Sequence, residues 1–392
     1  MPSSRLRLGI FGVGRMGLVH LENLVRLAQA GRIELVALGD RRAETRAAAL
    51  AAAKRLAGGG LASELACFDA PEAMAESGRI DAAVVASRTE HHAADTLALA
   101  QRGVAVLVEK PLANSVIEAA EFSQQAGRPG MAPVQIAFQR YYDAASRRAR
   151  QWVSAGKIGE LQQSHHVLQD KNPTPPAYQS PGITADMAIH LVFEALSFHR
   201  FELPRTVQAL QFMAPHYEDR AGEGANVVHA FLQWADGSVA HLWGSRINDT
   251  GYDNGFKLIG TLGRIDVGEF VGDFGPIEAK LWQGTGRTTG ERGRLVERQR
   301  FRMTPPKPQH PDFYPRFARA YARELQVFLQ AVAARRPIKL GPEIGWKSVL
   351  VAGAAEASSR LGGRRYELVT ASGQPLETAA DAAEFARREG IE

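Results

Sequence analysis

The residues of this 392-residue chain that could do chemistry stand at the ends of apolar runs. Gly12-Val13-Gly14-Arg15-Met16-Gly17 follows the run Leu6 to Phe11 and precedes a helical pattern. In that setting the first glycine permits a tight turn and the second lets backbone approach a pyrophosphate. The third lets helix and strand pack closely, with phosphate over the helix amino terminus. Asp40 closes a second run, Leu35 to Gly39, where a carboxylate can accept hydrogen bonds from both hydroxyls of an adenosine ribose. Together these features predict a dinucleotide site. Lys110 ends a third run, Val106-Leu107-Val108-Glu109, immediately before Pro111, at the strand edge that faces the ligand crevice in an open α/β sheet. Glu109 beside it would hold part of a nicotinamide ribose or balance charge. Asp186 and His190 open a helical run of apolar neighbours, and their i, i+4 spacing puts carboxylate and imidazole on one face. Buried polar groups need a reason, and a satisfied core pair fits this pattern as well as a proton-handling pair does.

The elements that must position these residues fall into two rhythms. From Leu6 to about Ala137 strands are predicted near 6–11, 35–39, 82–86, 104–108 and 133–137, with helices between them, including Met16 to Ala30 and Ala43 to Leu56. Such alternation implies a doubly wound, mostly parallel sheet covered on both faces. After Gly127 to Pro133 the rhythm changes. A helix near Ala144 to Ala155 precedes β runs of alternating polarity around 161–169, 205–213, 226–234, 238–247, 255–260 and 294–302, separated by turns such as Ala235-Asp236-Gly237-Ser238. Helices near 314–334 and 342–361 follow. The predicted fold class is α/β, an N-terminal Rossmann doubly wound parallel sheet plus a C-terminal α+β domain with a large open mixed or antiparallel sheet. The expected domains are 1–137 for dinucleotide binding, 138–368 for substrate binding and oligomerisation, and a C-terminal tail, 369–392. That tail, acidic and alanine-rich from Ala371, reads as a loosely attached helix.

Composition limits the functional classes. Hydrophobic content of 45% and charged content of 23% are ordinary for a globular protein. The net charge is +5, but 47 basic residues are scattered among 42 acids without a long run, so no nucleic-acid partner is expected. No stretch reaches the ~18 apolar residues that cross a bilayer, so no membrane association and a cytoplasmic location are expected. Cys67 is the single cysteine, which leaves no thiolate cluster, and the adjacent pairs His91-His92 and His165-His166 point in different directions. No metal is expected.

In order and spacing, these segments resemble the glucose-fructose oxidoreductase and inositol dehydrogenase (Gfo/Idh/MocA) family from roughly Arg5 to Leu368. The resemblance rests on GVGRMG with His20 shortly after, Asp40, Ser87-Arg88-Thr89-Glu90-His91-His92, Glu109-Lys110-Pro111-Leu112, Phe138-Gln139-Arg140-Tyr141-Tyr142-Asp143, and the Asp186, His190 pair. It implies NAD-dependent oxidation of inositols and related sugars or cyclic polyols, with Lys110, Asp186 and His190 meeting beside the nicotinamide as the catalytic set. His190, with an unperturbed pKa of about 6.5, would be the general base. Lys110 would stabilise the developing alkoxide, and Asp186 would hold imidazole or substrate hydroxyl in position. The implied cofactor contacts are Gly12, Gly14, Arg15, Met16, Gly17, Asp40, Arg41, Ser87, Arg88, His92, Glu109, Lys110 and Gln139. Arg140, Asp170, Asn172 and Tyr252 would line the sugar pocket beside Lys110, Asp186 and His190.

Departures from the family pattern shape the remaining expectations. Phe193 stands where many members carry an aspartate, with Glu194 one step later; Arg88 replaces a common proline; and Ser180-Pro181-Gly182 replaces a glycine pair. A pocket that does not take a plain inositol is expected. Asp40 would repel a 2′-phosphate and favour NAD over NADP, although Arg41 and Arg42 could embrace one if the carboxylate turned away. An uncovered sheet face predicts a homodimer or homotetramer. Two other classes stay open, an NAD-dependent glycosidase working by transient oxidation and a non-catalytic nucleotide-sensing regulator. Retention of Lys110, Asp186 and His190 argues against the regulator.

Overall fold

The computed structural model describes residues 5–58, 65–171, 182–214, 225–268, 275–284, 292–307 and 310–391. The chain divides into two compact units, residues 1–138 with 321–346 and residues 139–320 with 347–392.

In the first unit the strands are β1 (Arg7–Phe11), β2 (Glu34–Gly39), β3 (Ala66–Phe68), β4 (Ala82–Val85), β5 (Ala105–Glu109) and β6 (Val134–Ala137). They form one sheet in the order β3-β2-β1-β4-β5-β6, with all neighbouring pairs parallel. The connections are helices α1 (Arg15–Gln29), α2 (Ala43–Ala57), α3 (Pro71–Glu76), α4 (Thr89–Ala100) and α5 (Val116–Ala126). Strands covered on both faces read as continuous apolar runs, and all four residues of β4 and of β6 are buried. Leu8, Ile10, Val84 and Leu107 join Leu21, Leu24, Leu325 and Phe328 in one core. Strand order reverses between β1 and β4, which puts the crevice beyond the carboxyl ends of those strands, where Gly12 and Ser87 follow.

The second unit opens with a 3-10 turn (Gln139–Tyr142) and α6 (Ala144–Ser154), whose N-cap Asp143 accepts the Ser146 N–H. Its strands are β7 (Leu161–Gln169), β8 (Thr206–Phe212), β9 (Val227–Gln233), β10 (Val239–Ser245), β11 (Asp253–Gly260), β12 (Gly263–Val267), β13 (Ile277–Gln283) and β14 (Arg294–Phe301). Between β7 and β8 a π-helical turn (Thr184–Ala188) leads into α7 (Ile189–Phe198). Helices α8 (Tyr314–Ala333) and α9 (Pro342–Arg360) come next in the chain, with residues 321–346 belonging to the first unit, and the short strand β15 (Tyr366–Glu367) and α10 (Ala379–Glu389) complete the second. The nine strands run in the order β14-β13-β12-β11-β7-β10-β9-β8-β15; β7 and β10 are parallel and the other neighbours antiparallel. The sheet is therefore mixed. α7 packs on β7 and β10, and α6 on β12, β13 and β14.

Period-two alternation sends Leu210, Phe212, Phe231, Val239, Trp243 and Ile259 to the other face, where they stay exposed. Among them runs a row of imidazoles, with His165 Nδ1 2.8 Å from His241 Nδ1 and His229 Nδ1 3.0 Å from His241 Nε2. His166, its neighbour in sequence, points inward and meets Glu194 at 3.1 Å, the opposite facing expected of adjacent strand residues.

The carboxyl-terminal segment is a packed helix and not a loosely attached one. A capping box between Thr378 and Asp381 starts α10, and Ala382, Ala383, Phe385 and Ala386 are buried. Small residues on one face let the helix approach closely, and Phe385 meets Tyr366 edge-on at 6.4 Å. Phe385→Ala is expected to lower stability by about 3–5 kcal/mol, measured as a fall in the urea midpoint of the unit that holds it. A change below about 1 kcal/mol would mean that the helix is dispensable.

Candidate active site

The glycine loop of the first unit is built by close contacts. Gly12 has φ +85°, and a Cβ there would lie 2.1 Å from the Ser87 nitrogen. A Cβ at Gly17 would lie 2.1 Å from the Gly12 carbonyl oxygen, so the third glycine is what lets α1 start directly over the turn. At Gly14, by contrast, a Cβ would meet nothing within 4 Å. Open space at a helix start with free N–H groups is the setting for an anion, so the loop fits the pyrophosphate of a dinucleotide. Arg15 is exposed and Met16 half-buried in the first turn of α1.

Asp40 follows β2, and its carboxylate accepts the Val13 N–H at Oδ2 and the Arg42 N–H at Oδ1, each at 3.0 Å. Each oxygen keeps a further lone pair, as a ribose diol requires. Arg41 turns away from this carboxylate and makes a bidentate pair with the buried Asp95, at 3.0 and 2.5 Å. Asp95 also accepts the Ser87 hydroxyl at 2.7 Å. The hydrogen bond to Asp95 holds the Arg41 guanidinium more firmly charged. Arg88 is exposed and paired with Glu90 at 2.7 Å.

His92 is a buried brace. Its Nδ1 lies 2.7 Å from the Pro111 carbonyl and its Nε2 3.0 Å from the Ser87 carbonyl, tying the loop after β4 to the segment after β5. Burial lowers its pKa below the usual imidazole value. At the end of β5, Glu109 meets His20 Nε2 at 2.6 Å and accepts the Lys110 N–H at 3.2 Å. Burial pushes the Glu109 carboxyl up, but His20, Lys110 and His92 outweigh it and hold the group below the usual carboxylate range. Lys110 itself is half-buried and joined to Pro111 by a cis peptide bond. Glu324, on α8, is 0% exposed. Burial and the charge of Glu109 raise its pKa well above the ordinary range.

In the second unit Gln139 and Arg140 lie buried in the 3-10 turn. Arg140 donates to the Tyr252 hydroxyl at 3.3 Å and sits 5.4 Å over the Phe317 ring. Burial, helped by Asp170 and opposed by Arg140, pushes the Tyr252 phenol up to about 12. Arg316 pairs with Asp143 at 3.1 Å. Asp170 follows β7, its N–H donating to the Ser245 carbonyl at 2.9 Å. The structure thus gathers Arg140 and Tyr252 with Asp170 in their electrostatic reach. Asn172 lies outside the described residues.

Asp186 and His190 are held differently from the regular helix that the sequence predicts. Asp186 belongs to the π-helical turn and His190 to the first turn of α7. π turns are rare and frequently mark functional positions. The carboxylate at the amino end of this segment is Glu356, from α9. It accepts the Thr184 N–H at 2.6 Å and the Ala185 N–H at 3.3 Å through Oε1, and the Gln211 amide at 2.7 Å through Oε2. Gly182, at φ +119°, makes room, since a Cβ there would lie 2.3 Å from Glu356 Oε1. Asp186 instead pairs with Arg246 at 2.7 Å. Phe193 packs with Tyr141 and Phe201, and Glu194, one residue on, turns to His166. Glu194 therefore does not take the place of the aspartate that Phe193 replaces.

Sequence reasoning missed Arg246, Glu356, Arg316, Asp95 and Glu324. Glu356 did leave a signal, being an acid at the end of the apolar run Val349 to Ala355 in a helical stretch. The arginines left none, because their partners come from distant parts of the chain.

Known proteins match this arrangement. A family model described as an oxidoreductase family with an NAD-binding Rossmann fold fits residues 6–138, and one for the GFO/IDH/MocA C-terminal domain fits residues 146–266. The chain belongs to the GFO/IDH/MocA family of oxidoreductases. Within that family it is 28% identical to an inositol 2-dehydrogenase of Rhizobium meliloti, over 90% of this chain and 96% of that one. It is 25% identical to scyllo-inositol 2-dehydrogenase (NAD(+)) of Bacillus subtilis, over 84% of this chain and 86% of that one. Among solved structures, a myo-inositol dehydrogenase from Corynebacterium glutamicum superposes with a TM-score of 0.73 at 23% identity, covering 94% of this chain and 100% of the other. The scyllo-inositol dehydrogenase from Lactobacillus casei with NAD(H) and scyllo-inositol gives 0.72 at 21% identity, covering 93% and 99%. At these identities the structures speak to the family fold. Among the described residues no helix is long and apolar enough to cross a membrane.

Glu324 gives a test of the first unit's interior. The unfolded chain releases that proton near the ordinary glutamate pKa of about 4.3, while the folded chain retains it to higher pH. Stability is therefore fully present below that value and declines as pH rises toward the folded pKa. Glu324→Gln, which cannot ionise, is expected to gain stability over the parent at pH 8 and less or none at pH 5, read from urea midpoints. An equal difference at both pH values would mean that Glu324 is ionised in the fold.

Proposed function

We propose that this chain is an NAD-dependent dehydrogenase that oxidises a secondary hydroxyl of a cyclic polyol or related sugar. The observation that carries the reading is the Asp186–His190 segment, held on a π turn by buried charged partners, in a chain that also retains Lys110 at the end of β5. Among the buried Met187, Ala188 and Ile189 a carboxylate and an imidazole are polar groups that packing does not call for, whereas proton transfer does. When bound, NAD supplies the hydride acceptor. Its holders are the Gly12, Gly14 and Gly17 loop, with Arg15 and Met16, and Asp40 at the ribose. Ser87, Arg88, His92, Glu109 and Gln139 shape the nicotinamide side, His92 and Glu109 through the segments that they brace.

The chain's own residues divide the remaining work. His190 accepts the hydroxyl proton, Lys110 stabilises negative charge on the substrate oxygen, and Asp186 orients imidazole or hydroxyl. Arg140, Tyr252 and Asp170 receive ring hydroxyls, with Asn172 in the same role. Asp40 is held by two backbone N–H groups and Arg41 is committed to Asp95, which supports NAD over NADP. Phe193 offers no hydroxyl acceptor, so the preferred substrate differs from a plain inositol at the carbon that an aspartate would otherwise hold.

The test is NADH formation with purified protein and a panel of inositols, aldoses, anhydrosugars and alkyl glycosides. Turnover of one polyol or sugar with NAD supports the reading, and release of aglycone without net NADH would replace it with the glycosidase reading. In the active combination His190→Ala and Lys110→Ala are each expected to lower kcat by on the order of 10²–10⁴ while NAD binding persists. Near-parental turnover in either variant would remove that residue from the mechanism.

The same reading includes self-association, to a dimer or tetramer, through the outer face of the nine-stranded sheet. Phe212, Phe231, Trp243 and Leu210 are 49, 53, 37 and 51% exposed on neighbouring strands, a concentration that water disfavours. Phe231→Glu is expected to shift the protein to monomer in sedimentation velocity with its secondary structure intact. A parent that sediments as a monomer at micromolar concentration would sink the idea.

A further inference from the structure

The guanidinium of Arg246 lies 2.7 Å from Asp186 Oδ2, with the two side chains only 11% and 19% exposed. The backbone that carries Arg246 is fixed on both sides. Its own N–H donates to the Asn226 carbonyl at 2.9 Å, and the residues flanking it bracket Asp170, which donates to Ser245 O and accepts from Asn248 N–H, each at 2.9 Å. The Asn248 side chain adds a bond to Gln169 at 3.2 Å. The ends of β7, β9 and β10 thus set where the arginine starts. A planar guanidinium loses little freedom per bond formed, and a pair withdrawn from water is worth holding only in good geometry. Asp186 sits in a π turn, where the backbone departs from the regular helical ladder, and the Glu356 carboxylate nearby braces the backbone of residues 184 and 185 and not the Asp186 side chain.

We propose that Arg246 is a positioning residue for the reaction, holding the Asp186 carboxylate in the one orientation that serves His190 and the substrate hydroxyl. This rests on the dehydrogenase reading above. The pair also has an electrostatic consequence. A bare carboxylate one turn before His190 would stabilise the imidazolium; a carboxylate already matched to a guanidinium does so less, which keeps His190 neutral and able to accept a proton at lower pH. The charged groups on the elements around this turn are Arg246 after β10, Asp170 after β7, Glu356 on α9 and Glu194 on α7. Glu194 meets His166, Glu356 meets backbone N–H groups and Gln211, and Arg246 meets Asp186.

The experiment compares the full-length parent, Arg246→Met and Arg246→Lys. Arg246→Met is expected to lower kcat about tenfold or more with little change in NAD affinity, because a misoriented catalytic group is costly at small displacement. The acid limb of its kcat/KM profile moves to higher pH, and Arg246→Lys recovers much of both effects. Titration of His190 by NMR of histidine-labelled protein, assigned with His190→Gln, reads the same interaction without turnover. Its midpoint is expected to rise in Arg246→Met and to return toward the parent in Arg246→Lys. An unmoved His190 midpoint in a folded Arg246→Met protein overturns the proposal, as does a kcat and pH profile equal to the parent's. If the parent turns over no polyol or sugar, the dehydrogenase reading fails by itself, and the His190 midpoint still decides whether Arg246 controls the Asp186–His190 pair. Should Arg246→Met not fold, the same titration on Arg246→Lys and Asp186→Asn applies, where an Asp186-independent midpoint overturns the inference.

Discussion

The Glu356 carboxylate receives the Thr184 and Ala185 N–H groups on one oxygen and the Gln211 amide on the other, and the turn presenting Asp186 and His190 is built on that contact. The first N–H groups of a helix have no partner within it, and here they are buried, so an acceptor must come from elsewhere. A carboxylate answers that need doubly, since the helix dipole favours negative charge at the same end. Its approach requires Gly182 at a positive φ, with no Cβ in the way. One glycine, one glutamate on a distant helix and one π turn therefore act as a single device.

The same physical demand recurs throughout both units. A charge removed from water needs a partner, and among the described residues several buried carboxylates have found one: Asp95 with Arg41 and Ser87, Asp143 with Arg316, Glu109 with His20, Glu194 with His166. Such pairs add little net stability once desolvation is counted, but breaking them is costly, so they fix geometry. Burial beside Glu109 pushes the Glu324 carboxyl the other way, toward its neutral form. In the first unit this leaves Lys110 on a strand end whose neighbours cannot relax, and in the second it leaves Asp186 with a fixed cation. Preorganised charge of that kind is what proton transfer and alkoxide stabilisation draw on.

Much of the frame was legible in advance. The strands of the first unit announced themselves as short apolar runs because both faces of a parallel sheet are covered. The fingerprint glycines could be given separate roles from their spacing, and each role has its contact, at Ser87, in open space and at Gly12. In the second unit period-two patterning gave β7 to β11 within a few residues. It did not announce β3, whose three residues are held as much by β2 as by their own pattern, nor β12, whose five residues bury only Ile265 and Val267, nor β13, although Ile277, Ala279 and Leu281 there alternate with Glu278 and Lys280. The regular helix expected at Asp186 gave way to a π turn, because tertiary contacts from Glu356 and Arg246 override local spacing.

Residue types and their order along the chain determined that this protein has a dinucleotide loop, an acid closing the second strand, a lysine on a strand end and an acid and histidine four residues apart. Those are local facts, set by glycine's conformational freedom and by the periods of strand and helix. Which charge meets which was decided by tertiary structure alone. Arg41 could have faced a phosphate and instead meets Asp95; Asp186 could have been left to His190 and instead shares its carboxylate with Arg246; Glu356 could have been a surface acid and instead caps a helix. Partners separated by 54, 60 and 172 positions leave no periodic trace, since what brings them together is the desolvation of each charge as the surrounding core closes.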